Sequence, residues 1–330
     1  MQEKIQKIVV LGTGGTIAGE SRSDKEGLTY QAAQRSIAEL LQAVAGQSKL
    51  LPKSLIPFRI EAEQVSQIDS KDMNFAIWQQ LALRCNHWLN QSDVQAVVIT
   101  HGTDTLEETA YFLSQVVQRH KPIVLTCAMR PANFEEADGP QNMRDALNVA
   151  SQLKGNGVWL VAAGEIHHSQ HVQKVHPTRL NAFDSGEWGS AGEIRKDEVT
   201  WASSKAMEPA HISDVPFDIL KLPDPLEWPW VEVLLNHVET SPKLIQALLD
   251  AGVDGLVVAG TGNASISQVM KESLLTAQTK GIEILLSSRC NQGPVVNTVH
   301  HAFKTASELN PSKARVALIL DLMSKRQSHA

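Results

Sequence analysis

The sequence has little of what marks secreted, membrane-spanning or nucleic-acid-binding proteins. It contains only three cysteines, Cys85, Cys127 and Cys290, and their odd number and wide spacing predict buried free thiols rather than disulfides. No apolar stretch approaches the roughly 20 residues of a membrane-spanning helix. The net charge of −6 disfavours nucleic acid or an anionic membrane as a partner, because both need a basic surface.

The first residues, MQEKIQKIVVLG, lead directly into a strand pattern. They show no positively charged segment followed by a long apolar run and a small-residue cleavage site. We therefore expect a cytoplasmic protein. Its 42% hydrophobic and 20% charged residues are typical of a globular fold, and 330 residues suffice for two domains with separate cores.

Short apolar runs alternate with amphipathic segments along the first part of the chain, which predicts a doubly wound, mostly parallel α/β sheet. Five prolines between residues 204 and 229 interrupt this pattern and predict an interdomain linker. A second α/β pattern follows. We expect a larger N-terminal catalytic domain over residues 1–203, the linker over 204–229, and a smaller C-terminal α/β domain over 230–330.

The stretch QAVVITHGTDTLEET is the most informative part of the sequence. Residues 97–99 form a continuous apolar run, as expected for a strand buried on both faces. Thr105 and Glu108 predict a capping box at the start of the next helix. Thr103 and Asp104 therefore lie beyond the carboxyl end of a core strand, where open α/β sheets bind ligands.

A glycine-rich turn, GTGGTIAG, follows the first predicted strand. It lacks the third glycine and the later acidic residue of a dinucleotide site, and it lacks the lysine of a P-loop. What remains is Thr16, a hydroxyl presented by a glycine turn at a strand end and so a candidate nucleophile. The polar residues 20–30, which end at Tyr30, predict an exposed flexible loop of the kind that can act as a lid.

Other polar residues have simpler interpretations. Ser70 or Asp72 is expected to cap the helix predicted over residues 74–89. His167 and His171 are four residues apart, but no predicted helix sets a metal-binding geometry, so we expect solvated loop histidines and no metal. Lys174 is a surface charge by default, or a proton carrier if it is drawn to Asp104.

The segments TGGTIAG and THGTDTLEETAYFL resemble the two signatures of bacterial-type L-asparaginases and glutaminase-asparaginases. The segments AMRP, ADGPQN, KVHPTRLNAF, AGTGN, SSR and LNPSKARV match in the same order, so the resemblance spans nearly the whole chain. It implies a cytoplasmic-type hydrolase that converts L-asparagine and water to L-aspartate and ammonia without metal or organic cofactor. It also implies a homotetramer or homodimer with sites completed between subunits.

The resemblance assigns catalytic roles to five residues. Thr16 matches the nucleophilic threonine, and Tyr30 matches the tyrosine of the mobile lid. Thr103, Asp104 and Lys174 match the second catalytic constellation, in which the lysine can act as a base. The backbone N–H groups of the HGTD turn are candidate oxyanion donors.

The resemblance also implies substrate contacts from Gly15, Ser70, Gly102 and Asn263, in addition to Thr103 and Asp104. Ser70 would hold the substrate's carboxylate, and Asn263 would reach it from a neighbouring subunit.

Two departures bear on specificity. Lys71 follows Ser70 where secreted members of the family carry a glutamine. The stretch after Arg289 is also shorter, and it lacks the acidic residue that a neighbouring subunit contributes in those enzymes. The sequence therefore leaves the choice between L-asparagine and L-glutamine open. It also leaves a catalytically poor amino-acid binding protein as a rival, which the intact Thr16, Thr103, Asp104 and Lys174 disfavour.

Overall fold

The structure is a computed structural model that describes residues 5–21, 30–47, 52–117, 121–202, 219–297 and 302–328. The chain divides into two compact units, Met1–Leu222 and Pro223–Ala330. Most of the predicted linker, 204–229, and the centre of the predicted lid loop, 22–29, lie outside the described residues.

The first unit is built on one large sheet. Its strands, in chain order, are β1 (Gln6–Gly14), β2 (Glu20–Ser21), β3 (Tyr30–Gln31), β4 (Phe58–Ile68), β5 (Val94–Thr100), β6 (Pro122–Thr126), β7 (Gly157–Ala162), β8 (Glu165–His168), β9 (Gln173–Lys174), β10 (Phe183–Asp184), β11 (Gly192–Arg195) and β12 (Glu198–Trp201). Eight of them form the sheet β12-β11-β8-β7-β6-β5-β1-β4. The five strands from β7 to β4 are parallel, whereas β8, β11 and β12 add an antiparallel edge. The predicted mostly parallel α/β sheet is confirmed.

Helices cover both faces of this sheet, which explains why its central strands are almost wholly apolar. The helices are α1 (Ile37–Gln47), α2 (Phe75–Leu89), α3 (Leu106–Val116) and α4 (Gly139–Gln152). On α4, the buried side chains Met143, Leu147 and Ala150 recur at helical spacing and belong to the same core cluster as Val98 and Val124. The helix begins at Gly139, and Pro140 is favourable in its first turn.

The expected cap of α2 was wrong. Asn74, rather than Ser70 or Asp72, precedes this helix, and its side-chain oxygen accepts the N–H of Ile77 at 3.1 Å. Ser70 and Asp72 instead form a short 3-10 turn that ends before the helix starts. Ser70 is therefore available for another role.

Asp145 is a buried carboxylate on α4 and predicts a pH dependence of stability. Its side chain accepts one hydrogen bond, from Gln141 at 2.8 Å, and burial raises its pKa from 3.8 to about 6. Because the pKa is raised on folding, the folded state is favoured while Asp145 is protonated and loses stability as the pH rises between about 4 and 6. Above about pH 6 the folded state is less stable, by about 3 kcal/mol, than it would be if folding left the pKa of Asp145 unchanged.

The Asp145→Asn variant is therefore expected to have a higher thermal midpoint than the wild type at pH 8 and nearly the same midpoint at pH 4. Differential scanning fluorimetry across this range measures both. Asp250→Asn, at an exposed carboxylate, is the matched control and should leave the pH profile unchanged. Parallel profiles for Asp145→Asn and the wild type would contradict the prediction.

The second unit is a smaller parallel α/β domain. Its strands β13 (Val231–Leu235), β14 (Gly255–Gly260), β15 (Glu283–Ser288) and β16 (Lys304–Thr305) pair in sequence order. Its helices are α5 (Pro242–Asp250), α6 (Gln268–Thr279) and α7 (Pro311–Ser328). No helix in the described ranges is both long and apolar enough to span a membrane.

The cysteine prediction holds in part. All three thiols are free, and Cys85 and Cys127 are buried, but Cys290 is exposed just after β15.

Candidate active site

Two glycine-dependent contacts bring the candidate segments together at the carboxyl ends of β1 and β5. Gly15 has φ +79°, and a Cβ on it would lie 2.4 Å from the Cα and N of Gly102. A Cβ on Gly102 would lie 2.4 Å from Oγ of Ser70. Only glycine permits both approaches. Thr16 and Thr103 each follow one of these glycines in the chain, so they flank the same contact.

The hydroxyls of Thr16 and Tyr30 form the first hydrogen-bonded pair of the site. Thr16 begins a short 3-10 turn after β1 and is almost fully buried, and its Oγ1 lies 2.6 Å from the phenolic oxygen of Tyr30. Burial raises the pKa of Tyr30, and the hydrogen bond to Thr16 only partly offsets this effect. The phenol is therefore protonated at neutral pH. It can take the Thr16 proton only while passing on its own.

The ends of the predicted lid loop are ordered rather than irregular. Ser21 pairs with Tyr30 and Glu20 with Gln31 as antiparallel strands β2 and β3. The expectation of an exposed loop over the whole of 20–30 was therefore wrong at both ends. This pairing fixes the backbone of Tyr30 beside Thr16.

Lys174 lies between Thr103 and Asp104, although it is some seventy residues away in sequence. Its Nζ lies 2.8 Å from Thr103 Oγ1 and 2.7 Å from Asp104 Oδ1. Its side chain is 18% exposed, whereas that of Asp104 is 53% exposed. The carboxylate of Glu107 accepts the backbone N–H of Lys174 at 2.5 Å and so ties β9 to the first turn of α3.

Ser70 links the segment after β4 to the HGTD turn. Its buried hydroxyl accepts the N–H of Asp104 at 3.2 Å, and its carbonyl accepts the hydroxyl of Thr105 at 2.8 Å. Thr105 does occupy the N-cap position of α3, but its side chain makes no capping hydrogen bond. The predicted capping box was wrong because the Thr105 hydroxyl donates to Ser70.

Lys71 points away from this cluster into solvent. Its side chain is 61% exposed, and its Nζ lies 2.5 Å from the carboxylate of Asp72. Lys71, which stands where secreted members of the family carry a glutamine, thus pairs its charge with the carboxylate of Asp72.

The histidines after β7 are buried, so the expectation of solvated loop histidines was wrong. His167 contacts Ser185 Oγ at 2.9 Å and Glu165 at 3.3 Å, and the ring of His171 stacks on Trp188 at 4.3 Å. Within the described ranges, no three His, Cys, Asp or Glu side chains are grouped closely enough to hold a metal ion.

Asn263 lies in the second unit, in the turn after β14. Its side chain donates to the carbonyl of Val296 at 2.9 Å and accepts the N–H of Val296 at 2.7 Å. The amide thus ties two turns of that unit together, and its predicted contact with substrate stays a prediction.

Glu107, His101 and Thr109 are site-forming residues that the sequence interpretation missed. Glu107 is one of two acidic residues at a helix N-terminus, where acids are common, so nothing in the sequence signals its contact with Lys174. His101 and Thr109 lie within the HGTDTLEET motif, eight residues apart. His101 precedes the helix that carries Thr109, so no helical periodicity in the sequence signals their contact.

Family models for the N-terminal asparaginase domain and for the glutaminase/asparaginase C-terminal domain match residues 7–207 and 230–330. The chain is 37% identical over 325 residues to a probable periplasmic L-asparaginase of Haemophilus influenzae, covering 96% of this chain and 89% of that one. It is 35% identical over 336 residues to a glutaminase-asparaginase of Pseudomonas fluorescens biotype A, covering 98% and 88%.

A solved structure is also similar. The crystal structure of a probable cytoplasmic L-asparaginase from Campylobacter jejuni matches with a TM-score of 0.86 and 34% identity, covering 98% of both chains.

Proposed function

This chain belongs to the asparaginase family, and from that premise we propose that it is an amidohydrolase that converts L-asparagine and water to L-aspartate and ammonia. The observation that carries the proposal is the pair of activated hydroxyls on either side of the Gly15–Gly102 contact. Thr16 has Tyr30 as its proton partner, and Thr103 has Lys174. Amide hydrolysis through a covalent intermediate needs a nucleophile for its first half and an activated water for its second.

In the first half-reaction Thr16 Oγ1 attacks the side-chain carbonyl carbon of the substrate. Its proton passes to Tyr30, which at the same time donates its own proton towards the departing nitrogen. The raised pKa of Tyr30 disfavours the charged phenolate, so the two proton transfers occur together. The C–N bond breaks, ammonia leaves, and an ester joins the aspartyl group to Thr16. Backbone N–H groups of the HGTD turn stabilise the oxyanion.

In the second half-reaction a water attacks the ester carbon. Lys174 takes a proton from this water through Thr103 Oγ1, which lies 2.8 Å away. The bond to Thr16 breaks, the Thr16 oxygen takes a proton from Tyr30 and so regains its hydroxyl, and L-aspartate leaves. Tyr30 regains a proton from solvent, and Lys174 releases to solvent the proton that it took. Asp104 and Ser70 serve recognition: the carboxylate pairs with the substrate's ammonium group and the serine hydroxyl holds its carboxylate.

L-Glutamine is the second candidate substrate, because several relatives are glutaminase-asparaginases. It is longer than L-asparagine by one methylene, which a pocket discriminates by about 1–3 kcal/mol. Ammonia release from both amides, measured side by side on the wild type, tests the proposal. We expect turnover of L-asparagine. Binding of L-aspartate without ammonia release from either amide would indicate an amino-acid binding protein instead.

We also propose a homotetramer or homodimer, because closed symmetric assemblies are the usual form of such enzymes. In this assembly Asn263 would contact the substrate held by a neighbouring subunit. Sedimentation equilibrium tests it: a tetramer has four times the mass of the 36.1 kDa chain. A monomer with full activity would contradict the proposed contact.

A cytoplasmic location is the last part of the proposal. It is supported by the similarity to the probable cytoplasmic enzyme of Campylobacter jejuni, which is 34% identical to this chain, whereas a probable periplasmic relative is 37% identical. Cell fractionation with immunodetection distinguishes the two compartments.

A further inference from the structure

A buried chain of hydrogen bonds runs behind the HGTD turn. The indole Nε1 of Trp78 lies 2.9 Å from Thr109 Oγ1, which lies 2.9 Å from Nε2 of His101. The other ring nitrogen of His101, Nδ1, lies 2.7 Å from the carbonyl oxygen of Gly102. Trp78 is 4% exposed, and His101 and Thr109 are fully buried. Trp78 is held in place by stacking on Phe112 at 4.9 Å.

The direction of every bond in this chain is fixed by its two ends. An indole N–H can only donate, and a backbone carbonyl can only accept. Burial lowers the pKa of His101 to about 4, so the ring is neutral at physiological pH and carries one N–H. That hydrogen lies on Nδ1, because Nδ1 faces a carbonyl oxygen. Nε2 is then an acceptor, and the Thr109 hydroxyl donates to it while accepting from Trp78.

The bond from His101 sets the orientation of one peptide group. The Gly102 carbonyl and the Thr103 N–H belong to the same planar trans peptide, in which the C=O and N–H point in opposite directions. With the carbonyl held towards His101, the Thr103 N–H points away from the buried ring. Among the described residues this N–H has no acceptor.

Gly102 makes such a restraint necessary. A glycine is required there, because a Cβ would lie 2.4 Å from Ser70 Oγ. The same residue leaves the following peptide with little intrinsic preference of orientation, since glycine restricts its dihedral angles least. The hydrogen bond from His101 supplies the missing restraint.

We propose that Thr109, acting through His101, is a positioning residue that orients the Thr103 N–H as an oxyanion donor and the Thr103 hydroxyl towards Lys174. This inference rests on the proposed function. It means that Thr109, a buried residue that does not touch substrate, contributes to kcat. The indole N–H of Trp78 donates to the Thr109 oxygen, so that the single hydroxyl hydrogen of Thr109 is directed at His101.

The test compares Thr109→Val, which keeps the shape and removes the hydroxyl, with Thr109→Ser, which keeps the hydroxyl. Loss of one oxyanion donor reduces kcat by about 10²–10³-fold, so partial misorientation is expected to reduce kcat in Thr109→Val by about tenfold or more. KM should change by less than about threefold, because binding uses other groups. Thr109→Ser should restore most of kcat. A purely structural role would lower the thermal midpoint of Thr109→Val and leave kcat at the wild-type value at low temperature, and that result would overturn the proposal.

A second measurement does not depend on turnover. Side-chain ¹⁵N–¹H spectra of the wild type, with His101 assigned from a His101→Asn variant, should show the neutral Nδ1–H tautomer at neutral pH and still at pH 5. The Nε2–H tautomer, or a charged ring at pH 5, would overturn the proposal. If the wild type releases no ammonia from either amide, the proposed function fails, and the tautomer still decides whether His101 restrains the turn.

Discussion

The Thr16→Ala enzyme is expected to release ammonia from L-asparagine at least about 10³-fold more slowly than the wild type, because it lacks the attacking atom. Thr16 is 5% exposed, and its hydroxyl has Tyr30 as its partner at 2.6 Å. A water that filled the small space left by the hydroxyl could not form the ester intermediate. The KM should stay within a few-fold of the wild-type value, since the alanine retains the backbone that shapes the turn. Steady-state ammonia assays measure both constants.

Thr16→Ser is the matched variant, because it keeps a hydroxyl beside Tyr30 and removes only a methyl group. We expect it to retain much more activity than Thr16→Ala. Equal loss in the two variants would point to a packing role for Thr16. An alanine variant with a tenth or more of the wild-type kcat would contradict its assignment as nucleophile.

Lys174→Met is expected to reduce steady-state turnover by about 10²–10⁴-fold, the usual contribution of a general base. Its amino group lies 2.8 Å from Thr103 Oγ1 and 2.7 Å from Asp104, and methionine has a similar length without the charge or the donors. The two half-reactions predict a more specific signature. Ammonia leaves before Lys174 is needed, so rapid-quench measurements should show a burst of about one ammonia per site followed by slow turnover.

Lys71→Met is the matched control, since the Lys71 amino group pairs with Asp72 in solvent. We expect its kcat to stay within about twofold of the wild type, as is usual for a surface ion pair. A slow Lys174→Met enzyme without a burst would mean that Lys174 also acts in the first half-reaction. A fast one would contradict its role as base.

The fold and the meeting of the turns after β1 and β5 follow from the sequence because they depend on patterns that act over short distances. Residues 97–99 predict a strand buried on both faces, and β5 is such a strand. Parallel strands end at one edge of a sheet, which brings the turns after β1 and β5 together. The contact of Lys174 with Thr103 could be expected only from the family resemblance, since no local pattern connects residues so far apart.

The errors have a common physical cause. Any of several polar residues between Asp69 and Asn74 can cap a helix, and only the backbone path selects Asn74. Likewise, His167 is polar by composition, but the turn at Ala163 and Gly164 folds β8 back onto β7 and buries its ring beside Ser185. Partners that lie far along the chain decide whether a polar side chain is buried, and the local sequence does not contain them.

The central claim is that Thr16 attacks the substrate, and covalent trapping tests it most directly. A diazoketone analogue of L-asparagine carries the recognition groups and alkylates the nucleophile. Digestion and mass spectrometry of the inactivated enzyme then locate the label. We expect one label per chain, on Thr16, and no label in Thr16→Ala. A label on Thr103 instead of Thr16, or inactivation without any label on either threonine, would contradict it.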